Sequence, residues 1–255
     1  MKSPIPIADC HGHLGVHPDF PACKSSAEEM IQVMDLLNIG ILAITSTRAC
    51  YTDCVEGNRE VAEALKKFPR RFRGYVTVNP HPAGEALQEL ERRSGFHTPP
   101  LIKLHPFLHH TPVQGKAYRP IWDYANQHEA IVLVHTWDSD EHCSPLLLLD
   151  VAREFPRARI LLGHCGVTWR GYLQALEVAE QTANTFLDIT GSQSHRTILE
   201  RMVERVGAER ILFGSDMPYL EAAVSLGRVL TVRLSDAAQE AILRKNFLRL
   251  MGEAD

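Results

Sequence analysis

No apolar run in this 255-residue chain is long enough to cross a bilayer. Neither sign of charge dominates. The 27 lysines and arginines face 31 aspartates and glutamates, for a net charge of −4 and an isoelectric point near 6.3. There is thus no basic surface of the kind that nucleic acid or an anionic membrane selects. The opening MKSPIPIAD has one lysine but no continuous apolar segment, so it lacks the pattern of a secretory signal. Cysteine occurs at 10, 23, 50, 54, 143 and 165, with no CxxC pair and no framework spacing, and reads as reduced thiols. These absences leave a cytoplasmic protein that acts on a small-molecule substrate, with no nucleic acid partner, no membrane partner and a homodimer left open. No linker, charge block or low-complexity tract divides the chain, so residues 1–255 read as a single domain.

What is present is a rhythm of β-branched apolar runs. Strands are expected at Ile5–Asp9, Ile41–Thr47, Arg73–Asn79, Leu101–His105, Ile131–Thr136, Arg159–His164, Thr185–Thr190 and Arg210–Ser215. Each interval leaves room for one helix and two loops, the βα repeat of a parallel sheet. In SSAEEMIQVMDLLNIG, Ser26 and Glu29 stand in a capping-box relation, Met30, Val33, Met34 and Leu37 share a face, and Gly40 reads as the stop. EGNREVAEALKKFP ends in lysines before Pro69, and SDAAQEAILRKNFLRLMG reads as a closing amphipathic helix that ends at Gly252. Eight βα units make this an α/β chain and fit a (β/α)8 TIM barrel. A doubly wound open sheet is the rival, but no Gly-rich phosphate loop follows the first strand.

A barrel of this kind collects its chemistry where the strands end. The first run leads into His11 and His13, the fourth ends in Lys103 and His105, the fifth in His135, the sixth in His164 and the eighth in Asp216. Residues two apart share a face, which aims His11 and His13 the same way, and likewise Lys103 and His105. His135 falls in register with Ile131 and Leu133, and His164 with Ile160 and Leu162, as if both sets filled the barrel interior. Each residue alone has a plain structural explanation: a satisfied histidine, a paired lysine, a helix-capping aspartate. Four of these imidazoles, His11, His13, His135 and His164, and the carboxylate together suit Zn²⁺, Mn²⁺, Fe²⁺ or Co²⁺. Around them Arg48 and Tyr51 follow strand 2, Trp137 strand 5, Arg170 strand 6 and His195 strand 7. The arginines suggest an anionic substrate, with Trp137 as an apolar wall. The remaining histidines, at 17, 81, 97, 109, 110, 128 and 142, are expected at the surface, with His109 the one candidate for the mouth.

The motifs DCHGHLG, IKLHP, VHT, GHCG and GSDMP resemble those of the amidohydrolase superfamily, in particular its amidohydrolase-related ("amidohydrolase 2") family. That family includes aminocarboxymuconate-semialdehyde decarboxylase. The resemblance runs from Ile5 to about Gly252, with one departure: Val167 stands where many relatives have a second glycine. It implies a TIM-barrel metal-dependent hydrolase with one divalent ion, zinc first, held by His11, His13, His135 and Asp216. His164 is then the candidate acid or base, with Asp216 able to share that role. Two ions would follow if Lys103 were carboxylated and His164 became a ligand. An ammonium at Lys103 would instead join Arg48, His105, Trp137 and Arg170 in binding substrate. The expected activity is attack by metal-activated water on a lactone, amide or ester of a carboxylic acid. Non-oxidative decarboxylation of an aromatic or unsaturated acid is the alternative, and a catalytically inactive metal-binding barrel the second.

Overall fold

The computed structural model describes residues 2–17, 20, 25–191 and 197–254; Cys23 and His195 lie outside them. The first half runs β1 (Ile7–Leu14), α1 (Ala27–Leu37), β2 (Ile39–Ser46), α2 (Thr47–Tyr51), α3 (Cys54–Lys67), β3 (Phe72–Gly74), β4 (Val76–Thr77) and α4 (Ala83–Arg92). It continues with β5 (Leu101–Leu104), α5 (Pro106–His109), α6 (Arg119–Gln127), β6 (Ile131–His135), α7 (Leu148–Glu154), β7 (Arg159–Gly163) and α8 (Trp169–Gln181). The last part is β8 (Thr185–Asp188), α9 (Ile198–Val206), β9 (Ile211–Leu212), α10 (Ala222–Leu230), α11 (Asp236–Glu240) and α12 (Asn246–Met251). A π-helical turn at Ala241–Lys245 joins α11 to α12, so the expected closing helix is continuous but underwound at its middle.

Every pairing is parallel, in the orders β1–β2–β3 and β4–β5–β6–β7–β8–β9. The two runs join at both sides. The single strand expected at Arg73–Asn79 is divided at Tyr75, whose N–H donates to the Ile44 carbonyl at 2.9 Å and whose hydroxyl donates to the Cys10 carbonyl at 2.8 Å. Opposite, the Cys10 N–H reaches the Phe213 carbonyl at 2.9 Å, and Gly12 bridges Met217 in parallel. The sheet therefore closes on itself as a (β/α)8 barrel.

Two apolar layers follow. Ala8, Cys10, Ala43, Tyr75, Leu101, Ile131, Leu133, Leu161 and Leu212 fill the interior and meet Phe247, Leu248, Leu250 and Met251 of α12. The alternate strand residues, among them Ile44, Ile102, Val132, Ile160 and Leu162, pack outward against the helices. This corrects one expectation: Leu161, not Ile160 or Leu162, points inward. His164 therefore reaches the mouth through the turn after β7 and not by strand alternation.

Local signals explain the helix ends. Ser26 accepts from the Glu29 N–H while Glu29 returns to the Ser26 N–H, the reciprocal cap expected for α1. The stop is Asn38, in the left-handed region at φ 64°, and Gly40 belongs to β2. Asparagine tolerates that conformation through its short polar side chain. No helix among the described residues is long and apolar enough to cross a membrane.

Candidate metal centre and cavity

β1 extends to Leu14, so His11 and His13 lie within it and not beyond it. Its register against β2 slips between Asp9 and Gly12. That irregularity reverses the alternation: Ala8 and Cys10 face the interior, and after the slip His11 and His13 do. Gly12 faces outward, where an added Cβ would come within 2.8 Å of Leu42 Cδ1. A side chain at the position between the histidines would press on Leu42 in the outer apolar layer.

The floor of the mouth is compact. His11 Nε2 lies 3.3 Å from His13 Nε2 and 3.6 Å from Asp216 Oδ1, and His13 Nε2 lies 3.1 Å from the same oxygen. Donor atoms of His11, His164 and Asp216 all lie within 4.8 Å of one another. The Asp216 N–H donates to the His11 carbonyl at 2.8 Å, tying the segment after β9 to β1. Lys103 is fully buried beneath, its Nζ 3.1 Å from His11 Nε2. His105 and His135 stack with centroids 4.0 Å apart, and His135 stands 4.7 Å from His164, edge to face.

Two candidate side chains sit on strained backbone. His164, Cys165, Gly166 and Val167 all have positive φ, from 47° to 77°, and Asp216 has φ 63°. Such a conformation costs about 1–3 kcal/mol at a non-glycine residue. Neighbours hold the turn: the Gly166 N–H donates to Thr136 Oγ1 at 2.8 Å, and the Cys165 thiol donates to the Asp188 carbonyl at 3.1 Å. Val167, the departure noted above, occupies one of these positions with its side chain on the cavity.

Burial sets the protonation states. It pushes the pKa of His11, His105 and His135 well below the ordinary imidazole value and lowers that of His164. His13 falls to about 4, also mainly by burial. Burial opposes ionisation of Asp216, but the His13 imidazole 3.1 Å away and the nearby His164 and His11 outweigh it, and its pKa lies below the usual carboxylate range. Burial raises Asp9 to about 8, against hydrogen bonds from Ser215 and from the His11 N–H. The floor thus presents neutral imidazoles and an ionised carboxylate, the forms that bind a cation.

Above the floor opens a cavity of about 460 Å³. Of the sequence candidates, His13, Tyr51, His105, Trp137, His135, His164 and Asp216 line it. Arg48 pairs with Glu60 at 3.4 Å and Arg170 is exposed on α8; neither lines the cavity. His109 is buried but turned to the Tyr118 hydroxyl at 2.7 Å. His17, expected at the surface, is instead buried on the cavity wall, hydrogen-bonded to the Tyr51 hydroxyl and edge-on to Tyr219. Phe20, Phe107 and Tyr219 also line it, and Tyr219 stacks on His13 at 4.3 Å. His17 and Tyr219 lie in loops and Phe107 in the single turn of α5, so no periodic signal marks them. Asp188, the last residue of β8, also went unread; its Oδ2 lies 2.6 Å from His11 Nδ1. The signal for it was an acid at a strand end, the rule that found Asp216.

The family model described as amidohydrolase matches residues 8–252. The chain belongs to the amidohydrolase family. Among curated relatives, the γ-resorcylate decarboxylase of Rhodococcus jostii is 24% identical over 217 residues, a match that covers 64% of this chain and 65% of that enzyme. Among solved structures, a dihydroxybenzoic acid decarboxylase from Polaromonas sp. JS666, with bound manganese and the inhibitor 2-nitroresorcinol, superposes at TM-score 0.75. It is 16% identical, and the match covers 97% of each chain. A probable 2-pyrone-4,6-dicarboxylic acid hydrolase from Acinetobacter baumannii superposes at 0.74 with 15% identity, over 97% of this chain and 100% of that one. The amidohydrolase barrel thus hosts both decarboxylases and hydrolases among these neighbours.

Proposed function

We propose that this amidohydrolase is a metal-dependent, non-oxidative decarboxylase of a planar aromatic acid. The observation that carries the reading is the cavity wall. Phe20, Tyr51, Phe107, Trp137 and Tyr219 rise above the histidine–aspartate floor, and no lysine or arginine is among the described lining residues. Aromatic walls offer stacking faces to a ring and leave the carboxylate of the substrate to the floor. The names of the Rhodococcus relative and the Polaromonas neighbour, both decarboxylases of hydroxylated benzoic acids, support it.

The floor fits a divalent ion. Its donors are imidazoles and a carboxylate, and Asp216 Oδ1 is buried without a hydrogen bond. His11, His13, His135 and Asp216 would hold one ion per chain, a set that suits manganese or zinc. An ion held there would supply positive charge opposite the carboxylate of the substrate.

The side chains of the protein do the rest. Phe107 and Trp137, 5.7 Å apart, form one wall for the ring, and with Tyr219 they exclude water. His164 is the proton carrier. Burial leaves His164 mostly neutral, so the donor is its minor protonated form, a stronger acid than a solvated imidazolium. The ring carbon takes that proton, the bond to the carboxyl carbon breaks with its electron pair returning to the ring, and CO₂ leaves. The imidazole then recovers a proton from water.

One observation favours hydrolysis as a second reading: the same burial keeps His164 unprotonated near neutrality, the form a general base needs. The test is to load the protein with Mn²⁺ or Zn²⁺ and follow CO₂ and phenol from hydroxybenzoic acids beside a lactone panel. Stoichiometric CO₂ and phenol are expected; ring-opened lactone without CO₂ would establish the hydrolase instead. His164→Ala should keep its metal and lose turnover, and His135→Ala should lose metal. The reverse pattern would exchange their roles, as the close approach of His164 to His11 and Asp216 allows.

A further inference from the structure

We infer that Asp188 is a positioning residue, which fixes the tautomer of His11 so that Nε2 presents a lone pair to the floor. The inference rests on His11 being a metal ligand. Asp188 Oδ2 lies 2.6 Å from His11 Nδ1, and both side chains are fully buried. The other oxygen is already committed: Asp188 Oδ1 accepts the Thr190 N–H at 2.9 Å and the Thr190 hydroxyl at 2.5 Å. Gly214 makes room for this arrangement, because a Cβ there would collide with Thr190 Oγ1 and Asp188 Oδ1.

The donor inventory leaves one assignment. A carboxylate only accepts, so the proton between His11 and Asp188 belongs to Nδ1. The neutral ring then has Nε2 as its acceptor, which is consistent with the Lys103 Nζ at 3.1 Å as a donor to it. Among the described residues, His11 is the one floor imidazole paired with a carboxylate on the side away from the cavity. The Nδ1 atoms of His13 and His105 have no hydrogen bond at all. A carboxylate behind a ligating imidazole sets ring orientation and basicity, and losing one typically costs 10–100-fold in metal affinity.

Asp188→Asn tests the assignment because the Thr190 donors hold the amide oxygen on their own side. The amide NH₂ must then face His11 Nδ1 and turn it into an acceptor, which moves the ring proton to Nε2. Histidine ¹⁵N shifts in the metal-free protein, with the His11 signals assigned through His11→Gln, report the tautomer directly. Protonated Nδ1 is expected in the wild type and protonated Nε2 in Asp188→Asn, with Mn²⁺ and Zn²⁺ affinity lowered about 10–100-fold by chelator competition. Unchanged shifts together with affinity within twofold of wild type would overturn the inference. If Asp188→Asn fails to fold, Thr190→Val removes only the hydroxyl that steadies Asp188. A weaker metal site of unchanged fold then supports the role, and unchanged affinity refutes it. Should the wild type bind neither metal while Asp188→Asn still reverses the tautomer, the positioning role stands and the metal reading falls.

Discussion

The two ends of this barrel are built from opposite materials. Where the strands finish, His11, Lys103, Asp188 and Asp9 are fully buried and His13, His164 and Asp216 nearly so. Where they begin, Phe247, Leu248, Leu250 and Met251 of α12 close the interior with apolar side chains. Burying ionisable groups costs free energy unless each is paired, and several floor atoms, among them His13 Nδ1, His105 Nδ1 and Asp216 Oδ1, have no hydrogen bond. The apolar end contributes stability in the ordinary way, at about 25 cal/mol per Å² of apolar surface removed from water. One end supplies fold stability, and the other carries polar and strained groups whose retention makes sense through chemistry.

The largest effect should come from breaking the floor at its centre. Asp216→Ala removes the only carboxylate of the proposed ligand set, on a residue within reach of both His11 and His13. Bound metal measured by plasma mass spectrometry should fall by more than the 10–100-fold typical of outer partners, and turnover with it. Stability of the metal-free chain should hold or rise, because the imidazoles lose little beside a missing anion. Retained metal would show that the histidines alone suffice and would take Asp216 out of the ligand set.

The ends also differed in how readable they were. Barrel interior, helix faces and strand-end histidines are periodic features, and His11, His13, His135, His164 and Asp216 could be placed on the mouth from spacing and motif. The bulge in β1 could not be foreseen, because a register slip leaves no trace in hydrophobic alternation. The same limit misassigned Ile160 and Leu162, since the left-handed turn at His164 departs from strand geometry. His17 and Tyr219 reach the cavity from loops and Phe107 from the single turn of α5, whose paths are set by tertiary packing. Arg48 was within reach by sequence, but an ion pair with Glu60 holds it off the cavity wall.

A middle-sized effect is expected at the other end. Phe247 is fully buried between α12 and the strand starts, and Phe247→Ala should cost about 3–5 kcal/mol, read as a lower denaturant midpoint. Metal bound per folded chain should not change. If metal affinity fell in step with stability, the two ends would be mechanically coupled, and the division of labour above would be wrong.

The smallest effect tests whether acid sensitivity belongs to the floor alone. His109 lies outside the cavity, its Nδ1 bonded to the Tyr118 hydroxyl. Burial first, and then the nearby His81 and His110, lower its pKa from 6.5 to about 4. A histidine depressed on folding binds its proton more readily when unfolded. Its stabilising contribution is therefore complete above about pH 6.5 and is lost as the pH falls toward 4. One such proton is worth at most about 1.4 kcal/mol per pH unit. His109→Asn keeps an amide beside Tyr118 but cannot titrate, so its stability at pH 7 should lie within about 1 kcal/mol of wild type. Between pH 6.5 and 4 the metal-free variant should lose stability less steeply than wild type, by up to that one-proton slope, in urea titrations at each pH. Parallel slopes would mean that His109 takes no part, and would leave the floor histidines as the source of the acid sensitivity.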